Sequence, residues 1–378
     1  MSDILLTEAQ KDLQAMFRDF ARKEIMPIAA EYDEKGEFPK EVFKKAVDMG
    51  LTTMGLPEEF GGSGEGSLTG SLLSEELGYA DAGFASAVGA CNLATIPIMM
   101  GGNKEQKQMA ADVLLQGGMA AFCLTEAAAG SDAASLTTTA VKDGDTYIIN
   151  GSKAFITNGG VADLFTVFAT VDRSLGHKGI AAFMVPRNLP GISIGKEENK
   201  MGIRLSNTTE VVFEDVRIPA SYLVGDIGKG LKLALGTLNR TRGQGAAAAV
   251  GLAQRALDEA IRYSKQRVTF GKPICKQQAI QFMMADMDIR TEASRQLVRH
   301  ACRMVDLGVV DARQGSIAKT FAGDSAVQTA LDAIQILGGY GYSREYPVEK
   351  LLRDAKIYQI FEGTNQIQRM TIAGHLLA

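Results

Sequence analysis

Thr137-Thr138-Thr139-Ala140-Val141-Lys142-Asp143-Gly144-Asp145-Thr146-Tyr147-Ile148-Ile149-Asn150-Gly151-Ser152-Lys153-Ala154-Phe155-Ile156 sets three short runs rich in β-branched and aromatic residues around two turn dipeptides. Asp-Gly and Asn-Gly tolerate the left-handed backbone of tight hairpin turns, so each marks the end of one strand and the start of an antiparallel neighbour. Further runs of this kind follow at 164–171, 179–185, 192–194 and 210–213. They recur about every ten residues with no helical segment between them, which predicts an antiparallel sheet or barrel over 120–225 and argues against alternating βαβ units.

Outward from this stretch the texture changes on both sides. Over 1–119 the pattern is helical: Leu5 and Leu6 precede Thr7, a cap for a helix carrying Leu13, Met16, Phe17 and Phe20. Long helices are expected again over 226–378. Val250, Ala253, Leu257 and Ile261 line one face of 245–267, with Asp258 placed to pair with Arg262. A second helix runs over 277–307 and a third over 312–337, each stopping at glycine. The expected class is α+β and multi-domain: helices, then a β domain, then a helical bundle.

The chain has 378 residues, 46% of them hydrophobic, enough for a large core or several packed layers. A formal net charge of -4 gives no broad attraction to nucleic acid or an anionic membrane. No apolar run is read as long enough to span a bilayer. Met1-Ser2-Asp3 with Glu8 and Asp12 lacks the layout of a signal or transit peptide. A cytoplasmic protein, or a mitochondrial matrix one already relieved of its transit peptide, is expected. Cys91, Cys123, Cys275 and Cys302 form no CxxC pair, and His177, His300 and His375 are equally scattered, so no metal site is expected and the cysteines read as reduced. Chemistry then falls to carboxylates, hydroxyls or an organic cofactor.

Two glycine-rich stretches, 62–66 and 225–230, invite a nucleotide-loop reading, but neither follows a strand inside a βαβ unit, and both read as connectors. Three other segments carry more. In 122–132 a strand ends at Thr125 and runs into small residues and Gly130-Ser131-Asp132, which suits either close backbone approach to a ligand or a tight loop capped by Asp132. Phe155-Ile156-Thr157-Asn158-Gly159-Gly160 offers an aromatic and a hydroxyl that either flank a flat ring or belong to core and turn. Glu362, after Phe361 and before Gly363-Thr364-Asn365, is either a desolvated carboxylate with raised proton affinity or an exposed acid at a helix start.

Taken together with Arg267-Val268-Thr269-Phe270-Gly271-Lys272, Gln335-Ile336-Leu337-Gly338-Gly339-Tyr340-Gly341 and Arg353-Asp354-Ala355-Lys356, these segments resemble the acyl-CoA dehydrogenase family, nearest its short- and medium-chain, butyryl-CoA dehydrogenase-like branch, over essentially the whole chain. The resemblance implies an N-terminal helical domain (1–119), a middle antiparallel β-barrel domain (120–225) and a C-terminal four-helix-bundle-like domain (226–378). It further implies FAD, a homotetramer built as a dimer of dimers, an acyl-CoA substrate and electrons passed to an electron-transferring flavoprotein. By position, Phe122, Leu124, Thr125, Phe155 and Thr157 would surround the isoalloxazine. Arg267, Phe270, Gln278, Gln335 and Gly339 would reach the cofactor from a neighbouring subunit, while Thr364 and Gln366 would touch it after the base. Ser131, Asn239, Arg242 and Gly363 would contact the CoA thioester.

Glu362 would be the base that removes the α-proton. The thioester carbonyl would accept from the Glu362 N–H and a ribityl hydroxyl, and the β-hydrogen would leave as hydride to give a trans-2-enoyl-CoA. Some branches carry the base on the helix after the β domain, but 238–242 holds no carboxylate. Departures are Ala127 and Ala128 for a usual Pro and Gly, Phe155 for a frequent Trp, and Asn239 for a usual Asp. Acyl-CoA oxidases are usually longer, and nitroalkane oxidases carry Asp at the base position. An enoyl-CoA reductase working in reverse, within an electron-bifurcating complex, stands as the alternative, and a catalytically dead scaffold is disfavoured by Glu362, Thr125 and Arg267.

Overall fold

A computed structural model describes residues 5–377; the reading of Met1–Asp3 lies outside the described residues. The chain opens with helices α1 (Glu8–Phe20), α2 (Ala29–Lys35), α3 (Lys40–Asp48), α4 (Ser67–Ala80), α5 (Ala82–Gly101) and α6 (Lys104–Leu115). Strands follow: β1 (Ala120–Cys123), β2 (Thr139–Asp143), β3 (Thr146–Thr157), β4 (Leu164–Thr170), β5 (Ile180–Pro186), β6 (Ile192–Glu197), β7 (Thr208–Pro219) and β8 (Leu223–Val224). Helix α7 (Gly230–Gln266) leads to a small hairpin, β9 (Val268–Thr269) with β10 (Lys272–Pro273), then α8 (Gln278–Asp306), α9 (Ala312–Leu337), α10 (Val348–Ala355) and α11 (Asn365–Leu377). Thr7 does cap α1: its hydroxyl accepts from the Gln10 N–H while the Gln10 side chain returns to the Thr7 N–H.

The sheet runs β6-β7-β3-β2-β4-β5-β8, with β1 added against β4. Asp143-Gly144 makes the β2–β3 turn as expected, with Asp143 opposite Thr146. Asn150-Gly151 does not turn the chain. It lies inside the continuous 12-residue strand β3, at a register shift against β7. Gly151 takes φ 144 there, and a side chain would meet the Thr138 backbone at 2.7 Å, so the glycine serves a bulge. The sheet also departs from a wholly antiparallel pattern, since β1 and β2 both pair parallel with β4. Phe165, Phe183 and Phe213 belong to the sheet's own core, while the N- and C-terminal helices share a second one.

That shared core depends on small residues in α7. A Cβ on Gly251 would lie 1.9 Å from the Glu75 carbonyl of α4, and one on Gly78 would lie 2.3 Å from the Ala248 carbonyl. Helix axes approach only as closely as the residues between them allow, and here backbone meets backbone. Val250, Ala253 and Leu257 are buried as their spacing predicts. The expected Asp258–Arg262 pair does not form: Arg262 turns to Glu259, and Asp258 accepts from the Tyr79 hydroxyl at 2.9 Å and from Gln254. Asp258 is drawn across to α4, a tertiary contact that helix spacing cannot show.

Helix α5 corrects another expectation. Its 20 residues are long and apolar enough to cross a membrane by length and composition. Here it is a core helix, with Phe84, Ala87, Cys91, Ala94 and Ile98 fully covered. At its start Asp81 accepts from the Phe84 N–H and from Lys350 of α10 at 2.5 Å; Lys350 also holds Asp354, which accepts from the Ile203 N–H at 2.6 Å. Arg353 reaches Asp33 at 2.7 Å. One buried ionic knot thus ties the N-terminal helices, the loop before β7 and α10 together.

Candidate active site

The ends of β1 and β3, the middle of α5, the first half of α7 and the segment before α11 enclose a cavity of about 270 Å3. Phe122, Leu124, Thr125, Ser131, Phe155, Thr157, Arg242, Glu362 and Gly363 all line it. The two strand segments face it side by side. Phe155 is 64% exposed and holds φ 56, a costly backbone for an aromatic residue that recurs at functional sites. The glycines after it serve packing: a Cβ on Gly159 would meet Thr209 Oγ1 at 2.4 Å, and one on Gly160 would meet the Asn207 amide. Asn158 is buried and donates to the carbonyls of Ala87 and Ala120, fixing β3 against α5 and β1.

Behind the first segment lies an ion pair that the sequence reading did not find. Lys153 is fully buried on β3 and donates to Glu126 at 2.7 Å and to the Leu124 carbonyl. Glu126 also accepts from the Thr137 and Thr138 N–H groups, which closes the 126–137 loop on itself. Lys153 and these donors hold the Glu126 carboxyl down at about 2 although burial opposes them. Burial in turn depresses the Lys153 ammonium against the attraction of Glu126. The loop bearing Thr125 and Ser131 is therefore anchored by charge. A lysine in an otherwise alternating apolar strand was the available signal.

Glu362 takes φ 54 and Gly363 φ 88, so the chain turns sharply just before α11. The Gly363 carbonyl accepts from Lys319 of α9 at 2.8 Å and from Gln368 at 3.0 Å. Lys319 also donates to Asn365, which reaches Asp324 and the Thr320 carbonyl. Burial lowers the Lys319 ammonium to about 8. Sequence reading missed Lys319 as well; its mark is a lysine among the small residues of 315–323 in a helix packed on both sides. The Glu362 carboxylate rests against Gly245 of α7, where a Cβ would lie 2.8 Å from Oε1. Burial raises its carboxyl to about 7, against the pull of Arg242 and Lys319. Its backbone N–H makes no hydrogen bond among the described residues. A base of near-neutral proton affinity and a free amide donor thus share one wall. Arg242 is 6% exposed, donates to Asn239 Oδ1 at 2.7 Å and keeps a buried Nε without a partner, a donor suited to a polar ligand.

Other expected residues lie apart. Asn239 orients Arg242 from a neighbouring crevice. The Thr364 hydroxyl accepts from the Ile367 N–H at the start of α11, and Gln366 is exposed. Arg267, Phe270 and Gly339 gather around a second, open concavity of about 840 Å3 that shares no lining residue with the first. Arg267 sits 5.8 Å over the Tyr340 ring, Phe270 is 96% exposed, and Gln278 and Gln335 are exposed nearby in sequence. Three of the cysteines are buried, and among the described residues no three His, Cys, Asp or Glu side chains gather as metal ligands.

Comparison with known proteins identifies the family to which this fold belongs. Models of the acyl-CoA dehydrogenase N-terminal, middle and C-terminal domains match residues 7–118, 121–216 and 228–377. An acyl-CoA dehydrogenase of Bacillus subtilis (strain 168) is 46% identical over 98% of this chain and 99% of its own. The solved butyryl-CoA dehydrogenase of Megasphaera elsdenii superposes with a TM-score of 0.97 at 44% identity, covering all of both chains. A chain from a structure described as the electron transferring flavoprotein of Acidaminococcus fermentans, on flavin-based electron bifurcation, gives the same score and identity over 99% of each. The chain belongs to the acyl-CoA dehydrogenase family of FAD-dependent oxidoreductases.

Proposed function

We propose that this protein dehydrogenates a short- or medium-chain acyl-CoA to its trans-2-enoyl-CoA, with Glu362 as the base, and passes the electrons to an electron-transferring flavoprotein. The observation that carries the reading is the wall formed by Glu362: a carboxylate raised to about 7 beside its own unengaged N–H. At neutral pH a base in this range combines a useful ionised fraction with strong proton affinity. Glu362 removes the α-proton, and its N–H donates to the thioester oxygen on which negative charge develops. The strained Glu362 and Gly363 turn, pinned by Lys319 and Gln368, keeps carboxylate and amide in register. Arg242, held by Asn239, supplies positive charge beside both.

The residues present fit FAD. Phe122, Leu124, Thr125, Phe155 and Thr157 offer apolar faces and hydroxyls to one flat group, with Phe155 presented from a register shift in β3. When bound, FAD supplies the acceptor for the β-hydrogen. The separation of the Arg267, Phe270 and Gly339 concavity from this cavity supports a site completed by a neighbouring subunit, and the family resemblance adds that the assembly is a homotetramer built as a dimer of dimers. On this reading Gln278 and Gln335 join that outer part, Thr364 and Gln366 touch FAD after the base, and Ser131 and Gly363 stand at the thioester end. The domains are taken as 1–119, 120–225 and 226–378, and bacterial relatives support a cytoplasmic enzyme. Likeness to a chain from a structure concerned with electron bifurcation favours a second reading, the reverse reduction of an enoyl-CoA. Denaturing the purified protein should release one FAD per chain, and anaerobic butyryl- or octanoyl-CoA should bleach it and yield the enoyl product. Release of FMN, or a flavin that no acyl-CoA bleaches, overturns the proposal.

A further inference from the structure

The cavity beside Glu362 is bounded in part by amides. Asn92 of α5 and Thr241 and Gln244 of α7 line it, and the same three residues line a second cavity of about 210 Å3. On the other side of this partition the walls are mostly apolar, with Met54, Leu56, Pro57, Ile96 and Met99, and also carry Glu65 and Arg240. Gln244 directly precedes Gly245, against which the Glu362 carboxylate packs, so the partition starts within one helical turn of the base. Its amide rests on Gly70 of α4, where a Cβ would lie 2.5 Å from Nε2; any larger residue at 70 would displace it. The Thr241 hydroxyl is engaged with the Thr237 carbonyl of its own helix. The side-chain amides of Asn92 and Gln244, by contrast, make no hydrogen bond among the described residues.

We propose that Asn92 and Gln244 form a polar stop that sets the acyl-chain length, with the mostly apolar cavity behind them a latent extension of the acyl site. The inference rests on the proposed dehydrogenase function and deepens it. A short acyl chain ends before the two amides and leaves them hydrated. A longer chain must bury them without partners, and an unpaired buried amide penalises that substrate on the order of ten- to a hundred-fold. The second barrier is steric, because the Gln244 side chain occupies the passage between the cavities. Substitution of Gln244 by a small residue removes the steric barrier and one of the two amides, and joins the active-site cavity to the methionine-lined one. Met54 and Met99 are suited to a chain of variable length, since unbranched thioether side chains fill irregular space.

The test uses the FAD-loaded enzyme with butyryl-, octanoyl- and dodecanoyl-CoA and a dye acceptor, comparing the parent with Gln244→Ala, Asn92→Ala and Gln244→Leu. The parent should discriminate against dodecanoyl-CoA. Gln244→Ala should raise the dodecanoyl-to-butyryl ratio of kcat/KM at least on the order of ten-fold, because each further methylene given apolar cover is worth roughly four-fold. Asn92→Ala should shift the ratio the same way by less. Gln244→Leu relieves the polarity but keeps the bulk, so its shift should fall below that of Gln244→Ala. Should Gln244→Ala lose its flavin, Gln244→Thr serves as the second small residue at this position. A ratio unchanged in the small variants overturns the stop while the reaction stands, as does a parent that already takes dodecanoyl-CoA as well as butyryl-CoA. If the parent converts no acyl-CoA, the proposed function fails first and the stop with it.

Discussion

Replacing Glu362 by Gln removes the proposed base while leaving the packing of the side chain in place. The carboxylate accepts no side-chain hydrogen bond among the described residues and lies against the bare Cα of Gly245, so the amide fits the same space and breaks no bond. What disappears is proton affinity. A rise from 4.5 to about 7 corresponds to about 3 kcal/mol of disfavour for the ionised form. Loss of a positioned base should slow flavin reduction by about 10²–10⁴-fold, equivalent to about 3–5 kcal/mol of barrier. The same free energy should reappear as stability. A carboxyl whose folded value is raised costs nothing below about 4.5, costs progressively more as pH climbs toward about 7, and a constant amount above. Glu362→Gln should therefore match the parent in unfolding free energy at pH 4 and exceed it by up to about 3 kcal/mol at pH 8. Stopped-flow bleaching of the flavin by butyryl-CoA under anaerobic conditions reads the first effect, and urea titration at the two pH values reads the second. Reduction at the parent rate, or a parent whose reduction rate shows no rise with pH between 6 and 8, would refute the assignment of the base.

Substitutions at three further positions probe the rest of the site. Arg267→Ala should loosen FAD, measured as flavin retained through gel filtration, because on the proposed reading its guanidinium, at the second concavity, reaches the cofactor of a neighbouring subunit; a monomer with full FAD by light scattering would refute this. Lys319→Met removes a charge that favours ionised Glu362, so the midpoint of flavin reduction against pH should move upward from about 7, whereas Lys319→Arg should restore part of the shift. Glu126→Gln leaves the Lys153 ammonium buried without its counter-charge and should cost about 3–5 kcal/mol in urea unfolding. In the parent, the Glu126 contribution is present above about 4.5 and is lost as pH falls through about 2, so acid unfolding should start earlier in the variant.

What the chain shows in advance depends on whether a signal is local. Thr7, Asp143-Gly144 and the glycines ending the long helices act within a few residues, and each does in the structure what its neighbours predict. Asn150-Gly151 carries the same local signal as Asp143-Gly144, yet β7 pairs along both halves of β3 and turns the dipeptide into a bulge. Asp258 is similarly drawn away from Arg262 by Tyr79, almost two hundred residues earlier in sequence. In the site, the neighbours of Glu362, Phe155 and Thr125 single out their segments but leave helix-start, core and loop readings open, and it is the family resemblance that assigns them roles. Lys153 and Lys319 are not, because a lysine at one position of a strand or helix looks like a solvated face until the elements that cover it are known. The Asn92 and Gln244 partition belongs to the same class, since it exists only where α4, α5 and α7 meet.

The apolar character of α5 has a consequence for the ribosome-bound chain. Its principal cover, α7, begins roughly 130 residues after α5 ends, and at about 5–20 residues per second of elongation the nascent helix waits on the order of ten seconds for it. Until then a segment with the length and composition of a membrane anchor lacks the partner that covers it most in the finished fold. Early partners are at hand: α4 precedes it directly, and β1 emerges soon afterwards to be joined to it by Asn158. Substitutions that weaken those first contacts act before any enzyme exists, by lengthening the time in which insertion machinery and chaperones compete with folding for the same twenty residues.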